Sequence, residues 1–106
     1  DLGSTKRVKR LGIGVLQDVR SWIWYPAEVE FNTSTNGRQW SSAIVRNTVL
    51  TEAEGTQTQE LWTAPIDKRA RYIEVTVRSI GNCPEWHPGA GETSWLFADE
   101  ILIEVE

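Results

Sequence analysis

The stretch GNCPEWHPGAG, residues 81–91, holds the chain's single cysteine and single histidine, with a tryptophan beside the histidine. Residues of these types could ligate a metal, pair a thiolate with an imidazole base, or hold a ligand against a ring. Zinc requires three or four Cys, His or carboxylate ligands. Cys83 and His87 are the only soft ligands present, with only Glu85 as a carboxylate between them, so no closed zinc site assembles here. A nucleophilic cysteine needs a setting that stabilises the thiolate and a third group to orient its base. Pro84 follows Cys83 directly and denies it a helix N-terminus, so Cys83 reads as a small buried hydrophobe. The pair Asp99-Glu100 suggests acid–base carboxylates, but neighbours on a strand point to opposite faces and cannot flank one bond. Asn32-Thr33-Ser34 fits the glycosylation sequon but falls inside a strand.

The aromatic residues carry a better candidate. Six tryptophans in 106 residues exceed what a small core needs. SWIWYP at 21–26, if extended, places Trp22 and Trp24 on one side and Ile23 and Tyr25 on the other. Trp86-His87 lies in a long loop that Trp95 ends. A pyranose ring offers an apolar C–H face and a rim of hydroxyls, which suits a flat aromatic flanked by polar groups. Trp22, Trp24, Trp86 and Trp95 supply platforms; His87, Glu85, Asn82, Arg20 and Asp18 supply rim donors and acceptors. The competing role for these indoles is to pin long loops onto the body of the domain. Trp40 and Trp62 fall inside strands and read as core.

The elements that must position these rings are strands. RLGIGVL sets Leu11, Ile13 and Val15 on one face. AEVEFNTS alternates Ala27, Val29 and Phe31 against Glu28, Glu30 and Asn32. RYIEVTVRS and DEILIEVE repeat the pattern with Ile73, Val75 and Val77, then with Ile101, Ile103 and Val105. Alternation with one polar face predicts antiparallel sheet packed on one side and wet on the other. Asn36-Gly37 is the strongest hairpin signal and predicts a type I′ turn. Pro26 and Pro65 suit strand ends, TEAEGTQTQ reads as a polar loop, and residues 79–94 form the longest punctuated segment, of a length that is usually functional. Val8 is out of phase with Leu11, which predicts a bulge or a late strand start. No stretch keeps a helical period, so the expected fold is an all-β antiparallel sandwich or jelly roll of about six or seven strands.

Bulk properties narrow the partners. The chain has the size of one domain, and one cysteine excludes an internal disulfide. A net charge of −4 disfavours nucleic acid, and the basic cluster KRVKR at 6–10 reads as a solvated strand face. No apolar run reaches the length of a membrane span, and DLGSTKRVKR has no hydrophobic signal region, so any export signal belongs to a precursor or a longer parent chain.

Several segments resemble a known family. DLGSTKRVKRLGIGVLQD, WYPAEVEFNTSTNGRQW, ARYIEVTVRSIG and LFADEILIEV look like the coagulation factor V/VIII type C, or discoidin, domain over essentially the whole chain. More narrowly, IGNCPEWHPGAGETSWLFADEI is similar to the C-terminal modules of bacterial (Bacteroidetes-type) family 20 glycoside hydrolases, the β-N-acetylhexosaminidases or chitobiases. The resemblance implies a discoidin-like jelly roll of the carbohydrate-binding family 32 type, with residues 1–106 forming the C-terminal portion of one such module. It implies a module without catalytic residues, placed in the periplasm, at the cell surface or outside the cell through its parent enzyme. Sugars meet such modules at loops on one end of the sandwich, which here correspond to 17–25 and 82–95. A structural calcium is common in the family, and Glu100 on the closing strand is the candidate ligand, although the N-terminal stretch that supplies most partners is absent from this sequence. An exposed edge or apolar face at the start of the chain is the expected result, with edge-strand self-association or a looser N-terminal edge at Lys6 to Leu16.

Two functions follow from these readings. The first is a non-catalytic carbohydrate-binding module that holds its parent hydrolase near glycans bearing terminal N-acetylhexosamine or galactose. The second is a structural module whose tryptophan loops pack against the parent catalytic domain. Lipid binding, as in the coagulation relatives, would want basic residues beside apolar tips, whereas 79–94 carries Glu85 and Glu92 and no lysine or arginine before Trp95.

Overall fold

A computed structural model describes residues 1–47 and 55–106. Eight strands run in chain order: β1 (Lys6–Asp18), β2 (Ile23–Trp24), β3 (Glu28–Ser34), β4 (Ser41–Arg46), β5 (Thr56–Trp62), β6 (Lys68–Ala70), β7 (Tyr72–Arg78) and β8 (Trp95–Val105). A single 3-10 turn, Val19–Ser21, separates β1 from β2, and no α-helix occurs among the described residues. No helix there is long and apolar enough to cross a membrane.

The strands form two sheets. The first has the order β2-β8-β1-β5, with β6 also paired to β1; the second has the order β4-β3-β7. They pack face to face as a β-sandwich. Alternation places the core where the sequence pattern sets it: Leu11, Ile13 and Val15 of β1 meet Val29 and Phe31 of β3, closed off by Leu61 and Ala70. Ile73, Val75 and Val77 of β7 flank this cluster. Each fully buried apolar side chain here contributes about 1.5–3 kcal/mol.

Val8 is also fully buried, and the pairing of β1 with β8 shifts register between Val8 and Arg10. That is the expected bulge: one extra residue turns Val8 inward despite its odd spacing from Leu11. A second shift lies between Ile13 and Val15, where Ile101 and Ala98 are their respective partners and β8 carries the surplus.

Three expectations are corrected. Strand β1 is not an edge, because β8 pairs along one side of it and β5 then β6 along the other. Among the described residues the open edges of this sheet are β5 and, beyond Leu96, β8. The hairpin at Asn36-Gly37 joins β3 to β4, but Gly37 alone of the two has positive φ, at 75°, so the turn is not type I′. The Asn36 carboxamide oxygen accepts from the N–H groups of Arg38 and Gln39 at 2.8 and 3.0 Å, and this side-chain bonding replaces the tighter turn. Finally, TQTQ is strand rather than loop, since β5 pairs with β1 from Gly12–Trp62 to Asp18–Thr56. Its polar side chains are exposed, which suits an edge wet on both faces. Residues 51–54 of that predicted loop lie outside the described residues.

The two arginines of the basic cluster on β1 are matched by acids. Arg7 pairs with Asp67 at 2.8 Å and Glu106 at 3.2 Å, and Arg10 pairs with Glu104 at 2.6 Å. The Arg7 guanidinium, hydrogen-bonded to Asp67 and attracted by its charge, holds that carboxyl below the usual range.

Candidate ligand-binding site

The segment 81–94 is a built structure. Asn82 and Thr93 form a bridge, Cys83 N–H donates to Glu92 C=O at 2.8 Å, and Ser94 N–H donates to Gly81 C=O at 2.9 Å. The Ser94 hydroxyl donates to the same Gly81 carbonyl at 2.6 Å. These bonds close a short stem, and successive turns at His87, Ala90 and Glu92 shape the tip. Gly91, at φ 84°, supplies a backbone angle that a larger residue would resist. Cys83 is buried in the stem, as expected for a packing residue.

His87 organises the cluster. It is 5% exposed, its Nε2–H donates to Val19 C=O at 2.7 Å, and its Nδ1 accepts from Gly89 N–H at 3.0 Å. The neutral Nε2–H tautomer satisfies both bonds. Trp22, Trp24 and Trp86 meet the imidazole edge-on, with centroids 6.0, 5.3 and 6.2 Å away. Trp22 and Trp24 thus both meet His87, although the segment is not extended at Trp22, and Tyr25 packs against the core. Trp22 adopts φ 63° at the end of the 3-10 turn, and its ring fits against Gly89, where a Cβ would stand 2.8 Å from it.

The predicted platforms separate into two kinds. Trp24 is 1% exposed and meets Trp86 edge-on at 5.4 Å. Its indole N–H is the one buried side-chain polar group without a hydrogen-bond partner among the described residues. Trp22 is half-buried against Gly89. Trp86 is 44% and Trp95 67% exposed. The outward presentation expected of His87 does not hold, because its ring nitrogens are consumed by Val19 and Gly89 inside the cluster. Trp95 is fixed through its N–H to Trp22 C=O at 2.8 Å, in the short parallel pairing of β2 with β8. Phe97, two residues on along β8, is also exposed. Trp86 is thus an open indole seated on a buried imidazole–indole base, whereas Trp95, one register position from the Trp24–Leu96 pair, projects from the other face of the sheet beside Phe97. Of the predicted rim groups, Arg20, Asn82 and Glu85 are exposed, while Asp18 is half-buried and accepts from the Ser21 hydroxyl at 3.0 Å.

Two further expectations change. Trp40 is exposed just before β4, and Trp62 lies on the outer face of β5 rather than in the core. Trp62 covers Gly12, with the Arg10 guanidinium 4.6 Å from its ring centroid. Alternation from Gly12 explains this, because the missing side chain leaves room for an indole on the wet face. The sequon asparagine, Asn32, is buried and donates to Glu30 at 3.0 Å.

The adjacent carboxylates behave differently from the strand rule. The bulge opposite Gly14 breaks the alternation, and Asp99 and Glu100 line one cavity of about 330 Å³ together with Glu60. Asp99 accepts from Glu100 N–H at 2.6 Å. No group of three or more His, Cys, Asp or Glu among the described residues, Glu100 included, is placed to hold a metal ion.

The chain is therefore an all-β sandwich presenting aromatic rings at one end of its sheets. No protein-family model matches it, and no curated protein matches it.

Proposed function

We propose that this chain is a carbohydrate-binding module of the discoidin-like, jelly-roll type. It has no catalytic role of its own and holds a parent β-N-acetylhexosaminidase near glycans bearing terminal N-acetylhexosamine or galactose, in the periplasm, at the cell surface or outside the cell. The observation that carries this reading is the exposure of Trp86 and Trp95 on a hydrogen-bonded support, with Asn82, Glu85 and Arg20 open to solvent. A flat ring held rigid loses little entropy on stacking against a sugar. Trp86 and Trp95 are the contact residues in this reading; Trp24 and His87 hold the Trp86 ring, and the Trp22 carbonyl holds the Trp95 backbone. One ring contributes about 0.5–1.5 kcal/mol beyond area burial, so affinity for a single sugar is weak.

The test is an NMR titration of the chain with N-acetylglucosamine and galactose. Indole N–H shifts at Trp86 and Trp95, lost in Trp86→Ala and Trp95→Ala, support it; no shift at either indole with any sugar removes it. One observation favours docking against a parent catalytic domain instead: Trp95 and Phe97 expose neighbouring rings along β8, the start of a broader apolar patch. Sugar-independent association of that domain, abolished by Phe97→Ser, distinguishes this reading.

A further inference from the structure

Strand β8 pairs with β1 along its length, yet among the described residues it has a neighbour on its other side only at Trp95 and Leu96. Beyond them, alternate N–H and C=O groups point out of the sheet. Beyond the bulge at Asp99 and Glu100, residues 101–104 pair with 10–13 in unbroken register, and the surplus residue of the next shift lies on β1. That run has no proline, lysine or bulge of its own, the devices that guard natural edges. Its inner row is Ile101, Ile103 and Val105, opposite the core residues Ile13, Leu11 and Val8. Even so, Ile101 is 52% and Val105 45% exposed. Its outer row is Glu100, Leu102, Glu104 and Glu106.

We propose that this edge docks an extended peptide strand with branched apolar residues at alternate positions and lysine or arginine between them. The inner row sets the apolar period and the outer row sets the charge. Strand β1 already shows the chemistry β8 accepts: Leu11 and Ile13 face inward, and Arg10 meets Glu104 on the outside. Glu104 and Glu106 are already paired with Arg10 and Arg7, whereas Glu100 has no ion-pair partner among the described residues and is left for an incoming cation. A second copy of β8 is the poorer occupant, since it brings another acidic outer row to this one and each chain carries a net charge of −4. The mode is strand addition, with backbone bonds for affinity and alternate side chains for selection.

The probe is a synthetic peptide, acetyl-Lys-Val-Arg-Ile-Lys-Val-Lys-amide, titrated into the isotopically labelled chain. Amide shifts and slowed hydrogen exchange concentrated at Ile101–Val105, weakening as salt is raised, support the proposal. Glu100→Lys lowers affinity about two- to fivefold, the worth of one cross-strand ion pair. Ile101→Lys abolishes binding, with an unchanged near-ultraviolet spectrum showing that the fold is retained. Equal binding of the peptide with glutamate in place of every cation, shifts away from Ile101–Val105, or no binding would each overturn it. So would concentration-dependent dimerisation through this edge, abolished by Ile101→Lys and untouched by the peptide, which would make a second copy the occupant.

Discussion

Replacing His87 by alanine tests whether the aromatic end is held from within. The substitution removes the acceptor of the buried Gly89 N–H and the donor to Val19 C=O, and withdraws the ring on which Trp22, Trp24 and Trp86 converge. A buried donor left unpaired costs about 1–3 kcal/mol. The Val19 carbonyl costs less, because Val19 is half-buried and water reaches it. The space vacated among three indoles adds the usual penalty of a large-to-small change, so the total is about 3–4 kcal/mol. Against about 5–15 kcal/mol for a whole domain, that is a large fraction. In urea unfolding followed by tryptophan fluorescence, the midpoint falls by about 1.5–2 M for a slope near ~2 kcal/mol/M. His87→Asn keeps an acceptor near the Nδ1 position and His87→Gln a donor near Nε2, so each recovers roughly one hydrogen bond. A loss below ~1 kcal/mol for His87→Ala, or no recovery in either amide variant, refutes the supporting role assigned to this ring.

Three other outcomes are expected. Gly12→Ala sets a Cβ 2.7 Å from the Trp62 ring, so the indole must tilt away; stability falls by about 1–3 kcal/mol and the near-ultraviolet circular dichroism changes. An unchanged spectrum would show that Trp62 does not lie over Gly12. Cys83, enclosed in the stem, reacts with a disulfide reagent only as fast as the segment opens, whereas complete reaction within the mixing time contradicts its burial. Asp67 is more acidic in the folded chain because Arg7 hydrogen-bonds and attracts its carboxylate. The pair's stabilisation is therefore fully present above the ordinary carboxylate value of about pH 4 and is lost as pH falls through the lowered one. Asp67→Asn, which tolerates the φ of 48° at this position, removes that part of the acid dependence; identical acid-unfolding curves for the two proteins argue against it.

The strands with strict alternation were legible because one face of each is buried. Val29 with Phe31, and Ile73 with Val75 and Val77, face the interior as their period requires. The bulge at Val8 could be read from a break in phase, but the bulge opposite Gly14 could not, because Trp95 to Ala98 are all apolar and neither row stands out as the inner one. That hidden insertion brings two carboxylates to one cavity against the strand rule. Burial of the aromatic residues was the least legible feature. An indole is large and apolar wherever it sits, so composition cannot separate Trp24 from Trp95. The informative signal was the small residue opposite: Gly89 beneath Trp22 and Gly12 beneath Trp62. Outward rim groups at His87 failed for a related reason, since a histidine between Pro84 and Gly89 has backbone partners within reach that compete with solvent.

Strand β1 pairs with strands from the middle and the end of the sequence, joining Gly12 to Trp62 and Val8 to Val105 within a single sheet. Most of its pairings therefore close very long loops, whose entropy is lost before any contact repays it. Folding of this chain should belong to the slow, millisecond-to-second regime of sheet proteins. On the ribosome, an emerging β1 would wait with Leu11 and Ile13 uncovered until β8 has cleared the exit tunnel, so the interval of greatest aggregation risk spans nearly the whole synthesis of the domain.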